Sequence, residues 1–164
     1  MNETEKIEGY ELLIAQLEGL LSTQNHTLSN LANASAVLMD FLPESVFTGF
    51  YLYDGARLVL GPFQGSVSCV EIEMGKGVCG QAAADGVTLI VDDVRAHKNY
   101  ISCDSRALSE IVVPLYKDGK LVGVLDLDAP TIAGYDEIDK KYLEIFAEKL
   151  SALTDFHFFE VGGK

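Results

Sequence analysis

Ser109-Glu110-Ile111-Val112-Val113-Pro114-Leu115-Tyr116-Lys117-Asp118-Gly119-Lys120-Leu121-Val122-Gly123-Val124-Leu125-Asp126-Leu127-Asp128 is the stretch that decides the fold. Two β-favouring runs, Ile111–Tyr116 and Leu121–Asp128, flank the turn residues Lys117 to Lys120, which reads as an antiparallel hairpin. Residues two apart in a strand share a face. Leu125 and Leu127 therefore point to a core, while Asp126 and Asp128 point the other way, beside Val122 and Val124. Unpaired buried charge is expensive, so two acids there mark either a strand end in solvent or a site. The face of Glu110 depends on the turn. A two-residue Asp118-Gly119 loop sets Lys117 against Lys120 and puts Glu110 opposite Leu127, on the wrong face. A three-residue loop with a left-handed Gly119 sets Tyr116 against Lys120 and Glu110 opposite Asp126. The three-residue loop is the expectation, and it gathers three carboxyls on one face. Pro114 inside the strand implies an edge or a bulge.

Three clustered acids do not all stay ionised, so at least one keeps a proton near neutral pH. Such a group can protonate a leaving oxygen while its neighbours hold an ammonium.

Outward from the hairpin, Ile7, Tyr10, Ile14, Leu17 and Leu21 recur at helical spacing, and Leu28, Leu31, Leu38 and Leu42 do so after a break at Ser22-Thr23. Phe47 to Tyr53, the Asp54-Gly55 turn and Leu58-Val59-Leu60 form a first hairpin. A long irregular middle runs from Gly61 to about Cys103. It holds a short strand near Val70-Glu71-Ile72, a helical turn at Val78 to Ala84 and a strand at Thr88 to Val91. Loops of that length in a compact domain are usually functional. A last helix spans Asp136 to Phe156, capped by Asp136. The fold class is α+β: an antiparallel sheet of about six strands covered by N-terminal and C-terminal helices. One domain over 1–164 is expected, with helices in 1–45, sheet and loops in 46–130, and a helix and tail in 131–164.

The formal net charge of −13 repels phosphate backbones and argues against nucleic acid as a partner. No apolar run spans a bilayer, and the acidic start Met1-Asn2-Glu3-Thr4-Glu5-Lys6 is followed by no signal-peptide pattern. The cytoplasm is the expected compartment. The three cysteines, Cys69, Cys79 and Cys103, all lie in the irregular middle. An odd count argues against a disulfide scaffold. With no CxxC pair and no His at ligand spacing from a Cys, no metal site is expected. What remains is buried inert thiols or redox chemistry. Cys103 precedes the second hairpin and can reach the mouth that holds Glu110, although acids raise a thiol pKa and demand a compensating donor. His97 is the one histidine placed to face that mouth. Phe47 and Tyr51 share a strand face and can wall an apolar side chain.

Taken together, Gly49-Phe50-Tyr51-Leu52, Leu60-Gly61-Pro62-Phe63-Gln64-Gly65, Gly75-Lys76-Gly77-Val78-Cys79-Gly80, Cys103-Asp104, Ser109 to Leu115 and Gly123 to Asp128 resemble the free methionine-(R)-sulfoxide reductases, which are single GAF-domain enzymes. The likeness runs from about Leu12 to Leu153, with all three cysteines in the family's motifs. It implies a GAF-like fold and thiol-dependent reduction of free L-methionine-(R)-sulfoxide to methionine. Cys103 matches the catalytic cysteine, whose attack leaves a sulfenic acid. A second cysteine then forms an intramolecular disulfide that thioredoxin or another dithiol reduces, with no bound cofactor. Cys79 is the favoured resolving partner and Cys69 the second candidate. Glu110, Asp126 and Asp128 match the acidic substrate-binding residues, with Asp128 polarising or protonating the sulfoxide oxygen, helped by Glu110 and Asp126, which can also hold the amino group. Phe47 falls in the family's wall around the methyl end of the substrate. A homodimer is also implied. Two positions depart from the family pattern: Phe47 stands where Trp is frequent, and Asn99-Tyr100-Ile101-Ser102 replaces Gly-His-Ile-Ala before Cys103. The alternative is a non-catalytic GAF module that senses a small ligand.

Overall fold

A computed structural model describes residues 1–157. Helix α1 (Glu3–Leu20) starts in a capping box, in which the Asn2 side chain accepts from Glu5 N and the Glu5 carboxylate accepts from Asn2 N. Helix α2 (Thr27–Phe41) follows. Six strands come next in chain order: β1 (Phe47–Tyr53), β2 (Arg57–Gly65), β3 (Glu71–Glu73), β4 (Leu89–Val91), β5 (Ser109–Lys117) and β6 (Lys120–Ala129). Helix α3 (Gly77–Asp85) lies between β3 and β4, and α4 (Glu137–Ala152) closes the described fold. The last helix is thus shorter than expected, ending before Phe156. The tail expected over 131–164 lies partly outside the described residues.

All six strands join one sheet in the order β3-β2-β1-β6-β5-β4, and every pairing is antiparallel. The two faces differ. On one, Phe50, Ile111, Val113, Leu115, Leu125 and Leu127 pack against Leu13, Leu17, Leu31, Leu38, Phe146 and Leu150 of α1, α2 and α4. Lys6 of α1 pairs with Asp136 and Asp139 at the start of α4, and the Tyr10 hydroxyl donates to Asp139 at 2.7 Å. On the other face, Phe47, Tyr51, Val112 and Val124 pack against Val78, Cys79, Ala82 and Ala83 of the short helix α3. That helix covers only part of its face, and the acids of β6 lie beside it.

The second hairpin corrects the turn expectation. Asp118 and Gly119 take φ of 51° and 75°, the pair of positive values that defines a two-residue type I′ turn, and Lys117 faces Lys120. The register then slips between Leu115 and Tyr116: Tyr116 faces Leu121, but Leu115 faces Gly123. Val122 is the extra residue and packs on the helix-covered face, not beside Val124 as expected. From there Glu110 faces Asp128, and Val112 faces Asp126. A bulge inside the strand, not a longer loop, makes the one-residue correction. Glu110, Asp126 and Asp128 still share a face. Pro114 sits beside the bulge. There β4, which pairs only with Glu110 to Val112, has already ended, so the missing N–H of Pro114 falls on an edge.

Candidate active site

The acids converge where three strands and α3 meet. Across β1 and β6, Phe47 faces Asp128 and Gly49 faces Asp126. A Cβ at Gly49 would overlap the Cβ and backbone of Phe63, so glycine is required there and Asp126 has no side chain opposite it on β1. Glu110 and Asp126 are 5% and 4% exposed, and Asp128 is half-buried. Cys79, in the first turn of α3, is buried, and its thiol donates to Glu110 Oε1 at 3.7 Å.

Burial is the main force on these groups. It raises the Glu110 carboxyl well above the usual range, and the neighbouring charges of Asp126 and Asp128 push the same way. Asp126 is lifted by burial to about 6, with hydrogen bonds from Glu110 and Cys79 pulling back. Asp128 is raised by burial and then by Asp126 and Asp104. The Cys79 thiol is pushed up by burial and then by Asp126 and Glu110. Among the described residues no ion pair includes any of the three carboxylates. Close together and desolvated, they share protons as a set.

The two remaining cysteines are bonded to each other, and Cys103 lines the cavity. Cys69, in the β2–β3 connection, and Cys103, in the loop before β5, form a disulfide with Cα atoms 5.3 Å apart. The bridge joins Cys103 to Cys69, the second candidate, and not to Cys79, the favoured one. Cys79 is a free thiol held inside by α3 and engaged with Glu110, whereas Cys69 and Cys103 ride on facing half-buried loops. Phe47, Tyr51, Cys79, Cys103, Glu110, Asp126 and Asp128 all line one cavity. Phe47 stacks on Phe63 at 5.1 Å and on Tyr51 at 6.1 Å between ring centroids. Tyr51 also has a polar task. Its hydroxyl donates to Cys69 O at 3.0 Å and lies 2.8 Å from Ser68 Oγ, which fixes the loop that carries Cys69.

Sequence reading missed the loop anchors. Asn99 Nδ2 donates to Gly75 O at 2.8 Å, tying the Cys103 loop to the turn before α3. Tyr100, noted above only as a departure, lines the cavity, and its hydroxyl is pushed up to about 12 by burial and then by Glu110. His97 does not line the cavity; its Nε2 lies 3.1 Å from Gln81 Oε1. Asp104, beside Cys103, is held below the usual carboxylate range chiefly by the Arg106 backbone N–H.

The GAF domain model matches residues 29–154. Protein YtsP of Bacillus subtilis is 48% identical over 89% of this chain and 91% of its own length. Free methionine-R-sulfoxide reductase of Escherichia coli is 38% identical over 92% of this chain and 93% of its own. This chain belongs to the GAF-domain free methionine-R-sulfoxide reductases. A solved reductase of this family, that of Neisseria meningitidis in complex with its substrate, superposes with a TM-score of 0.86 at 43% identity, covering 90% of this chain and 89% of that one. Family membership and the six-stranded sheet agree with the expectation from sequence. Among the described residues no helix is long and apolar enough to cross a membrane.

Proposed function

We propose that this protein reduces free L-methionine-(R)-sulfoxide to methionine at the expense of the Cys69 and Cys103 thiols. The observation that carries this reading is the convergence of buried Glu110 and Asp126 and half-buried Asp128 on the cavity that Cys103, disulfide-linked to Cys69, lines. A sulfoxide needs a nucleophile at sulfur and a proton at oxygen, and the two sides of this cavity offer one each.

In the reduced protein, Cys103 Sγ attacks the sulfoxide sulfur. Asp128, aided by Glu110, gives a proton to the oxygen. Methionine leaves, reduced by two electrons, and the oxygen stays on Cys103 as a sulfenic acid. Cys69 Sγ then attacks Cys103 Sγ, water leaves, and the Cys69–Cys103 disulfide forms. Thioredoxin or another dithiol restores both thiols by exchange. Glu110 and Asp126 also hold the substrate ammonium, which stands in for the cation the acids lack. Phe47 and Tyr51 face the methyl end. The substrate carboxylate needs donors in an acidic pocket. Gly77 and Val78, in the first turn of α3, line the cavity and carry the N–H groups a helix start leaves without intrahelical partners. We further propose cytoplasmic action, where such dithiols are maintained, and a homodimer through the N-terminal helices, on which Leu12 and Leu20 are 62% and 46% exposed.

The test is incubation with each epimer of free methionine sulfoxide and a dithiol, with amino acids resolved by chromatography. Loss of the R epimer alone, with a peptide-bound sulfoxide untouched, supports the reading. No turnover by folded protein would favour the ligand-sensing alternative.

A further inference from the structure

Cys79 is the thiol that the proposed reaction leaves unused. We infer that Cys79 Sγ, Glu110 and Asp126 form a binding site for a divalent cation of the zinc class. The donor atoms, one from each residue, all lie within 4.8 Å of one another, and Cys79 Sγ stands 3.7 Å from Glu110 Oε1. Around tetrahedral zinc, sulfur lies at about 2.3 Å and carboxylate oxygen at about 2.0–2.2 Å, which sets sulfur and oxygen roughly 3.5 Å apart. The donors close on an ion by small shifts. A second observation points to a ligand. Asp126 Oδ1, on a side chain only 4% exposed, has no hydrogen-bond partner. A buried orphan acceptor costs free energy until something satisfies it, and Asp126 lines the cavity beside Cys79 and Glu110.

The available space selects the ligand. With the disulfide closed, the cavity offers about 30 Å³, room for roughly two water molecules. That admits an ion and a bound water but not an amino acid. The donor set, one soft thiolate and two hard carboxylates with a fourth position open, suits Zn²⁺ or Co²⁺ better than Ca²⁺ or Mg²⁺, which take oxygen alone. On binding, the thiol proton and any carboxyl protons pass to buffer, and no electrons move. The absence of CxxC or Cys–His spacing hid this set, because its members come from α3, β5 and β6. Resting on the proposed function, one consequence follows: an ion held by Glu110 and Asp126 excludes the substrate ammonium, so metal and substrate compete.

The experiment uses chelator-treated full-length protein with the Cys69–Cys103 disulfide intact, so that Cys79 is the sole free thiol. Co²⁺ is titrated in while the near-ultraviolet thiolate-to-cobalt charge-transfer band is followed. The expected result is a band that saturates at one ion per chain and vanishes when Zn²⁺ displaces cobalt. It should be absent in Cys79→Ala and need at least about tenfold more cobalt in Asp126→Asn. Circular dichroism checks that both variants fold, and the Asp126→Asn arm decides if Cys79→Ala does not. Weak cobalt absorption without charge transfer, or a band that Asp126→Asn leaves unchanged, overturns the site. Turnover is not read, so an inactive protein can still pass and an active one can still fail.

Discussion

The two faces of the sheet are built from the same strands on different terms. The face under α1, α2 and α4 buries Phe50, Leu125, Leu127 and Phe146. The face under α3 alternates with it residue by residue and buries Glu110 and Asp126, neither of which has an ion-pair partner among the described residues. The first face holds the structure together. The second carries electrostatic cost, because desolvated acids keep protons they would release in water. The contrast teaches that strand periodicity, through one-residue alternation, lets a stable layer support a strained one directly behind it.

Substitutions on the two faces should therefore fail differently. Cys103→Ser should lower kcat/KM for the R epimer by more than about 10³-fold with thermal stability of the reduced protein unchanged, measured by methionine release. Asp128→Asn should cost about 10²–10⁴-fold, the usual contribution of a positioned proton donor. On the opposite face, Leu125→Ala should destabilise by about 2–5 kcal/mol in urea unfolding, while activity per folded molecule stays near wild type. If Leu125→Ala abolished turnover without unfolding the chain, the division between faces would be wrong.

A pH series sharpens the same contrast. Asp126 is raised to about 6 and Glu110 and Asp128 lie well above their usual values. The folded state thus holds protons that the unfolded chain releases near about pH 4. With more protons bound when folded, stability falls as pH rises, from about 4 through 6 and on toward neutrality. Glu110→Gln in chelator-treated, reduced protein should match wild type near pH 4 and exceed it by on the order of 2 kcal/mol at pH 8. Equal slopes in urea titrations across that range would contradict the assignment. The smallest expected effect belongs to Tyr51→Phe. It removes the hydroxyl that anchors Ser68 and Cys69, a loss of about 1 kcal/mol. Disulfide formation after the first turnover should slow several-fold by quenched-flow alkylation, with methionine release unchanged.

The alternation Val124-Leu125-Asp126-Leu127-Asp128 was enough to separate the faces, because strand period is a local property. The register of Glu110 was not local. It depended on a turn and a bulge, each worth one residue, and only their sum fixes the face. The expected three-residue loop and the observed turn with a bulge at Val122 reach the same face by different routes. Capping by Asp136 was legible from its own side chain; the end of α4 at Ala152 was not. Cysteine pairing was the least legible feature. Cys69 reaches Cys103 only because the β2–β3 connection folds over the acid face, where Tyr51 holds it. Nothing in the spacing of the three cysteines records that path.

The most direct measurement is a single turnover without external reductant. Fully reduced protein is mixed with one equivalent of methionine-(R)-sulfoxide, quenched with alkylating agent and mapped by peptide mass spectrometry. One methionine per chain, a Cys69–Cys103 disulfide and alkylated Cys79 is the predicted result. Methionine release with Cys79 in the disulfide, or no methionine with all three thiols alkylated, would contradict it.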